Sequence, residues 1–156
     1  MDFITLVPTD PRLVPVAADQ GKALPLFRQI APDADDIRLI CHAGVELFDC
    51  GSNLDRITCP GCGAAIGFDW WGNTMTEDYV PAHAGEEPRG FRLQAYTLPC
   101  CGVQSPLDAL QYHAPMAFGR FGLQARNTKL GLLSDAQTDS LARALRCAVR
   151  VVYQHL

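Results

Sequence analysis

The spacing of apolar and polar residues predicts β-strands near both ends of the chain. A β-branched run, FITLV, stands at the start, and a similar run, VRVVYQHL, closes the sequence. IRLICH and VELFD flank Ala43-Gly44 and are typical of a hairpin that turns at this pair. The predicted strands are 3–7, 37–42, 45–49, 117–127 and 149–156.

A helical pattern lies between the first two of these strands. Ala23, Phe27 and Ile30 follow one another at the i, i+4, i+7 spacing of one helix face, so a helix is predicted over 24–31. Pro25 must lie in the first turn of that helix or kink it, because proline lacks the amide that a helix interior needs.

Two further helices are predicted after the middle of the chain. Ser105 is placed as the N-cap of a helix over 105–113, with a proline at its first position. Ser134 and Gln137 form the sequence pattern of a capping box, which predicts the start of a helix over 134–148. The leucines of this last segment recur on one stripe, as in a helix that packs against a core.

The order of these elements predicts an α+β fold. Strand, helix and strand follow one another over 3–42 and again over 117–155, which makes two β-α-β units. Right-handed crossovers would place both helices on one face of the sheet, as in a ferredoxin-like two-layer sandwich. We therefore predict a single α+β domain over 1–156, with residues 57–102 inserted between the two units.

Length and composition agree with one globular domain. Of the 156 residues, 48% are hydrophobic and 19% charged, which suffices for an ordinary core and does not match a disordered chain. A net charge of −4 does not mark the chain as a nucleic-acid binder. The start has no basic segment before an apolar run, and no apolar run is long enough to span a membrane. A cytoplasmic protein with no membrane contact is therefore expected.

The seven cysteines favour metal binding or free thiols in a reducing compartment, and their odd number agrees. Cys59 and Cys62 stand in ITCPGCG. A C-x2-C pair followed by a glycine lets the backbone curl so that both sulfurs face one ion. This stretch is therefore predicted to be half of a metal site.

A second stretch, TLPCCG, supplies the other half with an unusual spacing. When Cys101 is aligned with Cys62, Leu98 stands where the third ligand belongs, so Cys101 is the safer ligand of the second stretch. Cys100 reaches the ion only if the chain turns there, because neighbouring residues of an extended chain point to opposite sides. If Cys100 cannot reach the ion, His83 is the first alternative for the fourth ligand and Cys50 is the second.

Between the two cysteine stretches lie two β-type segments, AAIGFDWW at 64–71 and GFRLQAYTL at 90–98. Over 57–102 this order resembles the zinc-ribbon family. The resemblance implies that two antiparallel strands bring both cysteine turns to one tetrahedral, structural Zn²⁺. The ligands in this interpretation are Cys59, Cys62, Cys100 and Cys101. The whole chain also resembles a type of small bacterial cytoplasmic protein with the signature DCGxNLxxxxCPxCG, which implies no mechanism.

Other uses of these cysteines remain open. A dithiol redox centre would place its C-x2-C pair at a helix N-terminus, whereas this pair runs into a glycine and a predicted strand. A catalytic zinc would keep three protein ligands and one open position. The remaining cysteines are most simply small buried hydrophobic residues; they are Cys41, Cys50 and Cys147.

The rest of the sequence favours a non-enzymatic protein that acts through contacts with a protein partner. Trp70 and Trp71 precede a long loop predicted over 72–89, and an exposed tryptophan there would suit a partner surface, although packing of both rings on the ribbon is the simpler interpretation. An inhibitor or immunity-type protein would fit the size and acidity. A zinc- or cysteine-dependent enzyme is the alternative, but no catalytic motif is present. A nucleic-acid-associated ribbon is the second alternative, although five acids against two bases over 58–103 repel phosphates.

Overall fold

The computed structural model describes residues 1–85 and 87–156 and is a mixed α and β structure with an antiparallel sheet. The strands of the described chain are β1 (Asp2–Pro8), β2 (Asp36–Phe48), β3 (Ile57–Thr58), β4 (Tyr79–Val80), β5 (Gly90–Phe91), β6 (Tyr96–Thr97), β7 (Gln104–Ser105), β8 (Gln111–Tyr112), β9 (Ala117–Arg126) and β10 (Val149–His155). The helices are α1 (Ala17–Ile30), α2 (Phe68–Asp78) and α3 (Asp135–Leu145). No helix in these described ranges is both long and apolar enough to cross a membrane.

The long strands interleave in the main sheet, whose order is β10-β1-β9-β2-β5-β4. Each neighbouring pair is antiparallel, and β1 lies between β10 and β9 over most of its length. The two strand–helix–strand segments, β1-α1-β2 and β9-α3-β10, thus alternate across the sheet. The predicted strands at 3–7, 117–127 and 149–156 are confirmed, with ends that differ by a residue or two.

One core lies between this sheet and the helices α1 and α3. Phe27 of α1, Leu141 of α3 and Leu123 of β9 are fully buried there. The predicted capping box of α3 is confirmed: the Gln137 amide donates to the Ser134 side chain at 3.1 Å, and the reciprocal bond measures 2.9 Å. α1 begins at Ala17, well before the predicted residue 24, so Pro25 lies in the helix interior and not in its first turn.

The hairpin predicted over 37–49 is wrong. β2 runs through the predicted turn as one strand, and it pairs with β9 on both sides of an irregularity between Cys41 and Glu46. The extra residues are absorbed as a bulge, which bends the strand without reversing it. Gly44 sits in the bulge so close to the chain after residue 88 that a Cβ atom would lie 1.8 Å from the Arg89 carbonyl oxygen.

The strand predicted over 64–71 is also wrong, because α2 begins at Phe68 and occupies much of the loop predicted over 72–89. Trp70, Thr74 and Asp78 recur at the four-residue spacing of a helix face, and the last two are buried. A short apolar run does not distinguish a strand from a buried helix face, and here the longer spacing decides.

Two other predictions in the middle of the chain, a strand over 90–98 and a helix over 105–113, are also wrong. The segment 90–98 contains two separate strands, β5 and β6, of two residues each. The helix predicted over 105–113 is a single 3-10 turn at Leu107–Ala109, since Ser105 lies in β7 and Pro106 is extended.

A second core connects this middle part to the sheet. Phe91 pairs with Val45 of β2, and its ring packs edge-on against Phe118 with centroids 5.1 Å apart. Buried residues of the same core include Cys59 and Leu98. The cysteine stretches are therefore attached to the edge of the main sheet by apolar packing.

Candidate metal centre

The first cysteine stretch forms a tight turn that ends β3. The Cys59 amide donates to the Ala64 carbonyl at 2.9 Å, and the Gly63 amide donates to the Cys59 carbonyl at 3.0 Å. Gly63 has a φ of 76°, which glycine adopts without strain. The amides of Gly61 and Cys62 donate to Cys59 Sγ at 3.3 and 3.5 Å. The turn thus directs backbone dipoles at one sulfur.

The second cysteine stretch forms the same turn between β6 and β7. The Leu98 amide donates to the Val103 carbonyl at 2.9 Å, and the Gly102 amide donates to the Leu98 carbonyl at 3.0 Å. Gly102 has a φ of 78°. The equivalent positions of the two turns are Cys59 and Leu98, Gly61 and Cys100, Cys62 and Cys101, and Gly63 and Gly102.

This equivalence explains how adjacent cysteines can act together. The second turn carries leucine where the first carries its leading cysteine, and Leu98 is buried in the core with 1% of its surface exposed. Cys100 replaces the missing sulfur from a position that is glycine in the first turn. Because the chain curls at this point, the side chains of Cys100 and Cys101 need not point to opposite sides as they would in a strand.

The two turns meet, and their four sulfurs form one cluster. The Sγ atoms of Cys59, Cys62, Cys100 and Cys101 all lie within 4.8 Å of one another, a group that could hold a metal ion. Cys59 Sγ and Cys101 Sγ, one from each turn, lie 3.7 Å apart. Cys59 is buried and the other three are exposed, so the cluster lies at the surface with one ligand anchored in the core.

Electrostatics within the cluster favour a thiolate at Cys59. Its pKa is lowered to about 6, chiefly because the Cys62 amide donates to its sulfur. Desolvation and hydrogen bonding to the neighbouring sulfurs raise the pKa of Cys100 to about 12. The Val103 amide lowers the pKa of Cys101, but desolvation and hydrogen bonding to Cys59 and Cys62 outweigh it, so that this pKa is also raised. A bound cation would be needed to ionise all four thiols.

The donor chemistry of the cluster fits a metal ion. Four thiolates select soft or borderline metals such as zinc and iron, and not calcium or magnesium, which prefer oxygen ligands. The residues weighed as reserve ligands lie elsewhere: Cys50 is buried outside the cluster, and His83 is exposed on a 3-10 turn.

The surroundings of the cluster differ from the predicted hairpin. Each cysteine turn connects two short antiparallel segments. The first joins β3 to Ala65, which forms an isolated bridge with Thr58. The second joins β6 to β7. The long antiparallel strands predicted at 64–71 and 90–98 are absent, since α2 replaces the first of them. What joins the two turns is the shared core and the cluster itself.

Trp70 and Trp71 pack on the second core, as the simpler interpretation of the sequence expected. Trp71 Nε1 donates to the Tyr112 hydroxyl at 3.0 Å, and the two rings lie edge-on with centroids 6.1 Å apart. Phe68, one turn earlier, remains 46% exposed and contacts Trp71. Trp71 therefore fastens α2 to β8.

Sequence reasoning missed Asp78, which positions the chain leading to the second turn. This carboxylate is buried and accepts three hydrogen bonds, from the amides of Leu93 and Gln94 at 2.8 and 3.0 Å and from the Tyr96 hydroxyl at 3.0 Å. No sequence motif marks such a residue. Its role arises because β6 folds back onto the end of α2.

A hydroxyl and an imidazole also meet beside the first turn, at Thr58 and His113. The Thr58 Oγ1 and His113 Nε2 atoms are 2.9 Å apart, and Arg56 lies 3.3 Å from His113 Nδ1. Arg56 can only donate, so in the neutral ring Nε2 carries the proton and donates to Thr58, which in turn donates to Gln111 at 2.8 Å. His113 is therefore not placed to take a proton from Thr58, and the pair is a structural network.

Three comparisons with known proteins bear on this centre. A scan against protein-family models, a search of curated proteins and a search of solved structures each found no match to the chain.

Proposed function

We propose that the protein binds one zinc ion through Cys59, Cys62, Cys100 and Cys101, and that the ion stabilises the fold and carries no chemistry. The observation that carries this proposal is the separation of 3.7 Å between Cys59 Sγ and Cys101 Sγ, within a cluster no wider than 4.8 Å. Four sulfurs at about 2.3 Å from a tetrahedral zinc lie about 3.8 Å apart. The cluster therefore needs only a small contraction to close on the ion.

Zinc is proposed over iron because of the irregular second turn. Zinc has a filled d shell and no electronic preference for one geometry, so it tolerates a ligand that arrives from an unusual position. The turns also resemble those of zinc ribbons in their glycine and in the amides directed at sulfur. We regard residues 57–102 as a zinc-ribbon-like insertion in a single domain of 156 residues.

The structural role follows from how little else joins the two turns. The strands that flank them, β3, β6 and β7, have two residues each. Binding of a structural zinc contributes roughly 10–16 kcal/mol, which exceeds the stability of many domains. Four thiolates complete the coordination of zinc and leave no position for water or substrate, so an enzymatic role of the metal is not favoured.

The remainder of the chain is proposed to be a ferredoxin-like body. The four long strands stand in the order β10-β1-β9-β2, with every pair antiparallel and with α1 and α3 packed against each other. This order and the two β-α-β units support that assignment, and the short strands β5 and β4 extend the sheet beyond it.

We also propose that the protein acts by contact with another protein, as an inhibitor or immunity-type protein would. Phe68 at the start of α2 and Val103 beside the second turn keep 46% and 38% of their surface exposed. Exposed apolar side chains held in place by a helix or a closed turn are suited to a protein contact. Cross-linking in a cell lysate should join one partner to the native protein and not to Phe68→Ala, with Leu132→Ala as the control on an exposed leucine elsewhere.

The metal proposal is tested by elemental analysis of the purified protein together with its Cys→Ser variants. We expect one zinc ion per chain in the native protein and close to none in Cys59→Ser or Cys101→Ser. The melting temperature of these variants should fall by about 10 °C or more, because the binding energy of the metal is lost. Substitution by Co²⁺ should give the visible absorption of a tetrahedral tetrathiolate site.

Cys41→Ser is the matched control, since Cys41 is an exposed cysteine outside the cluster. It should keep both the metal and the melting temperature. A native protein that is folded, free of metal and as stable as the metal-loaded form would contradict the proposal. A cobalt spectrum with fewer than four thiolate ligands would contradict the closed site and favour an open, catalytic one.

A further inference from the structure

The hydrogen-bonding edge of β10 is open along the middle of the strand. In the β1–β10 ladder, Asp2 faces His155 and Pro8 faces Val149 with no shift between them. Met1 and Leu156 exchange two backbone hydrogen bonds at 2.9 and 2.8 Å, and the Thr9 amide donates to the Ala148 carbonyl at 2.9 Å. The pairs Met1–Leu156 and Thr9–Ala148 continue the register of the ladder at its two ends. Every second residue of β10 therefore forms its backbone hydrogen bonds with β1.

The alternation of an antiparallel ladder then decides which backbone groups of β10 face away from β1. Residues 148, 150, 152, 154 and 156 direct their amides and carbonyls to β1. Val149, Val151 and Tyr153 direct theirs to the opposite side, and no backbone partner is recorded for them within the described residues. Gly51 lies near the C-terminal end of the strand, where a Cβ atom added to it would be 3.4 Å from the His155 carbonyl oxygen.

This edge carries few of the features that keep sheet edges apart. Natural edge strands carry proline, charged side chains, a bulge or very few residues. β10 has seven residues, no proline, an unbroken register and one arginine, Arg150. The opposite edge of the same sheet, β4, has two residues and is followed at once by Pro81. The β4 edge is thus better protected than the β10 edge.

We propose that a second copy of this chain pairs with β10, strand against strand, across a twofold axis through Val151. Antiparallel pairing on this axis sets Val151 opposite its own copy and Val149 opposite Tyr153. Each of these three residues can then donate and accept one backbone bond across the interface. The two sheets become one continuous sheet.

Side-chain chemistry favours a copy of the chain as the occupant. In this register Arg150 stands directly opposite Val152 of the second copy, and the two Arg150 side chains, which are exposed, are diagonal neighbours. The half-buried side chains of Val149, Val151 and Tyr153 lie on the side of the helices, where they adjoin the first core. Valine and tyrosine are among the residues that pair best across strands.

The proposed contact gives a closed assembly of two copies. Both copies use the same edge, so the assembly is complete at two, and the short β4 edges that remain do not extend it. The cysteine cluster belongs to the other core, and this inference does not depend on whether a metal occupies it.

The test measures mass and amide exchange on the full chain. Light scattering should give twice the monomer mass of 17.0 kDa at micromolar concentration. The amides of Val149, Val151 and Tyr153 should exchange slowly with deuterium, and their protection should fall as the protein is diluted. Val151→Pro should weaken dimerisation about tenfold or more, because each of the two copies loses one amide donor at the interface. The hydrogen bonds between β10 and β1 do not use this amide and should remain.

A monomer at millimolar concentration would overturn the proposal. So would a dimer in which these three amides exchange freely, because it would use another surface, and so would protection that does not change on dilution. If Val151→Pro does not fold, exchange in the native protein still decides the matter. Arg38→Ala, on strand β2 away from the proposed contact, is the control and should leave the dimer intact. A proline control such as Thr76→Pro is unsuitable because it would disrupt helix α2.

Discussion

Leu98 occupies in the second cysteine turn the place that Cys59 occupies in the first. Each residue's amide donates across its turn at 2.9 Å, each carbonyl accepts from the glycine that closes it at 3.0 Å, and both side chains are buried. The second turn thus has the backbone of the first, with one sulfur at Cys100 instead of at the leading position.

Moving the sulfur back should preserve the metal site. Cys100→Gly alone should weaken zinc binding by more than about 100-fold, because losing a ligand lowers the affinity more than losing a group that hydrogen-bonds to a ligand. Leu98→Cys combined with Cys100→Gly recreates the pattern of the first turn and should recover most of that affinity. The measurement is competition with a zinc chelator. A double variant that binds no better than the single one would refute the equivalence of the two turns.

Asp78→Asn should destabilise the protein by about 2–4 kcal/mol. The carboxylate accepts from two amides and one hydroxyl, and an asparagine NH2 group would face donors with no acceptor in reach. Urea denaturation measures the loss. Glu77→Gln, an exposed neighbour on the same helix, is the control and should change the free energy of unfolding by no more than about 0.5 kcal/mol. Equal effects of the two variants would show that Asp78 is not a structural acceptor.

Stability should fall between about pH 10 and 12 because of Tyr96. Desolvation, and then its hydrogen bond to Asp78, raise the pKa of this phenol to about 12, whereas an exposed tyrosine has a pKa of about 10. The neutral phenol is favoured in the folded state, so its contribution is complete below pH 10 and is lost as the pH rises through the folded pKa. Ultraviolet titration of tyrosinate checks the pKa, and thermal melts check the stability. Tyr96→Phe should be less stable at pH 7 and show a smaller further loss over this range.

Gly44→Ala should destabilise the bulge of β2 by about 3 kcal/mol, because the new methyl group would lie 1.8 Å from the Arg89 carbonyl oxygen and backbone must move. Gly21→Ala in α1 is the matched control, since nothing lies within 4 Å of the position that its Cβ would take. It should stabilise the protein by about 0.4–1 kcal/mol. Chemical denaturation of both variants gives the comparison, and a neutral Gly44→Ala would mean that the two segments do not touch.

Elements whose signals are local were predictable from the sequence. The capping box at Ser134 and Gln137 marks the start of α3, and the β-branched runs at 3–7 and 149–156 are strands. The two cysteine turns were predictable as well, because a turn that ends in glycine is a property of a few neighbouring residues. The sequence alignment of Cys101 with Cys62 also corresponds to the observed backbone.

Tertiary contacts decided the rest. Whether Ala43-Gly44 reverses the chain depends on β9, which accepts both halves of β2 along one side. Whether residues 68–71 are strand or helix depends on the core against which Trp71 packs. The sequence by itself determined which residues could act as metal ligands, and only the folded chain decided that the sulfurs of residues 59 and 101 meet. That separation is set by every segment folded between them, which no local pattern encodes.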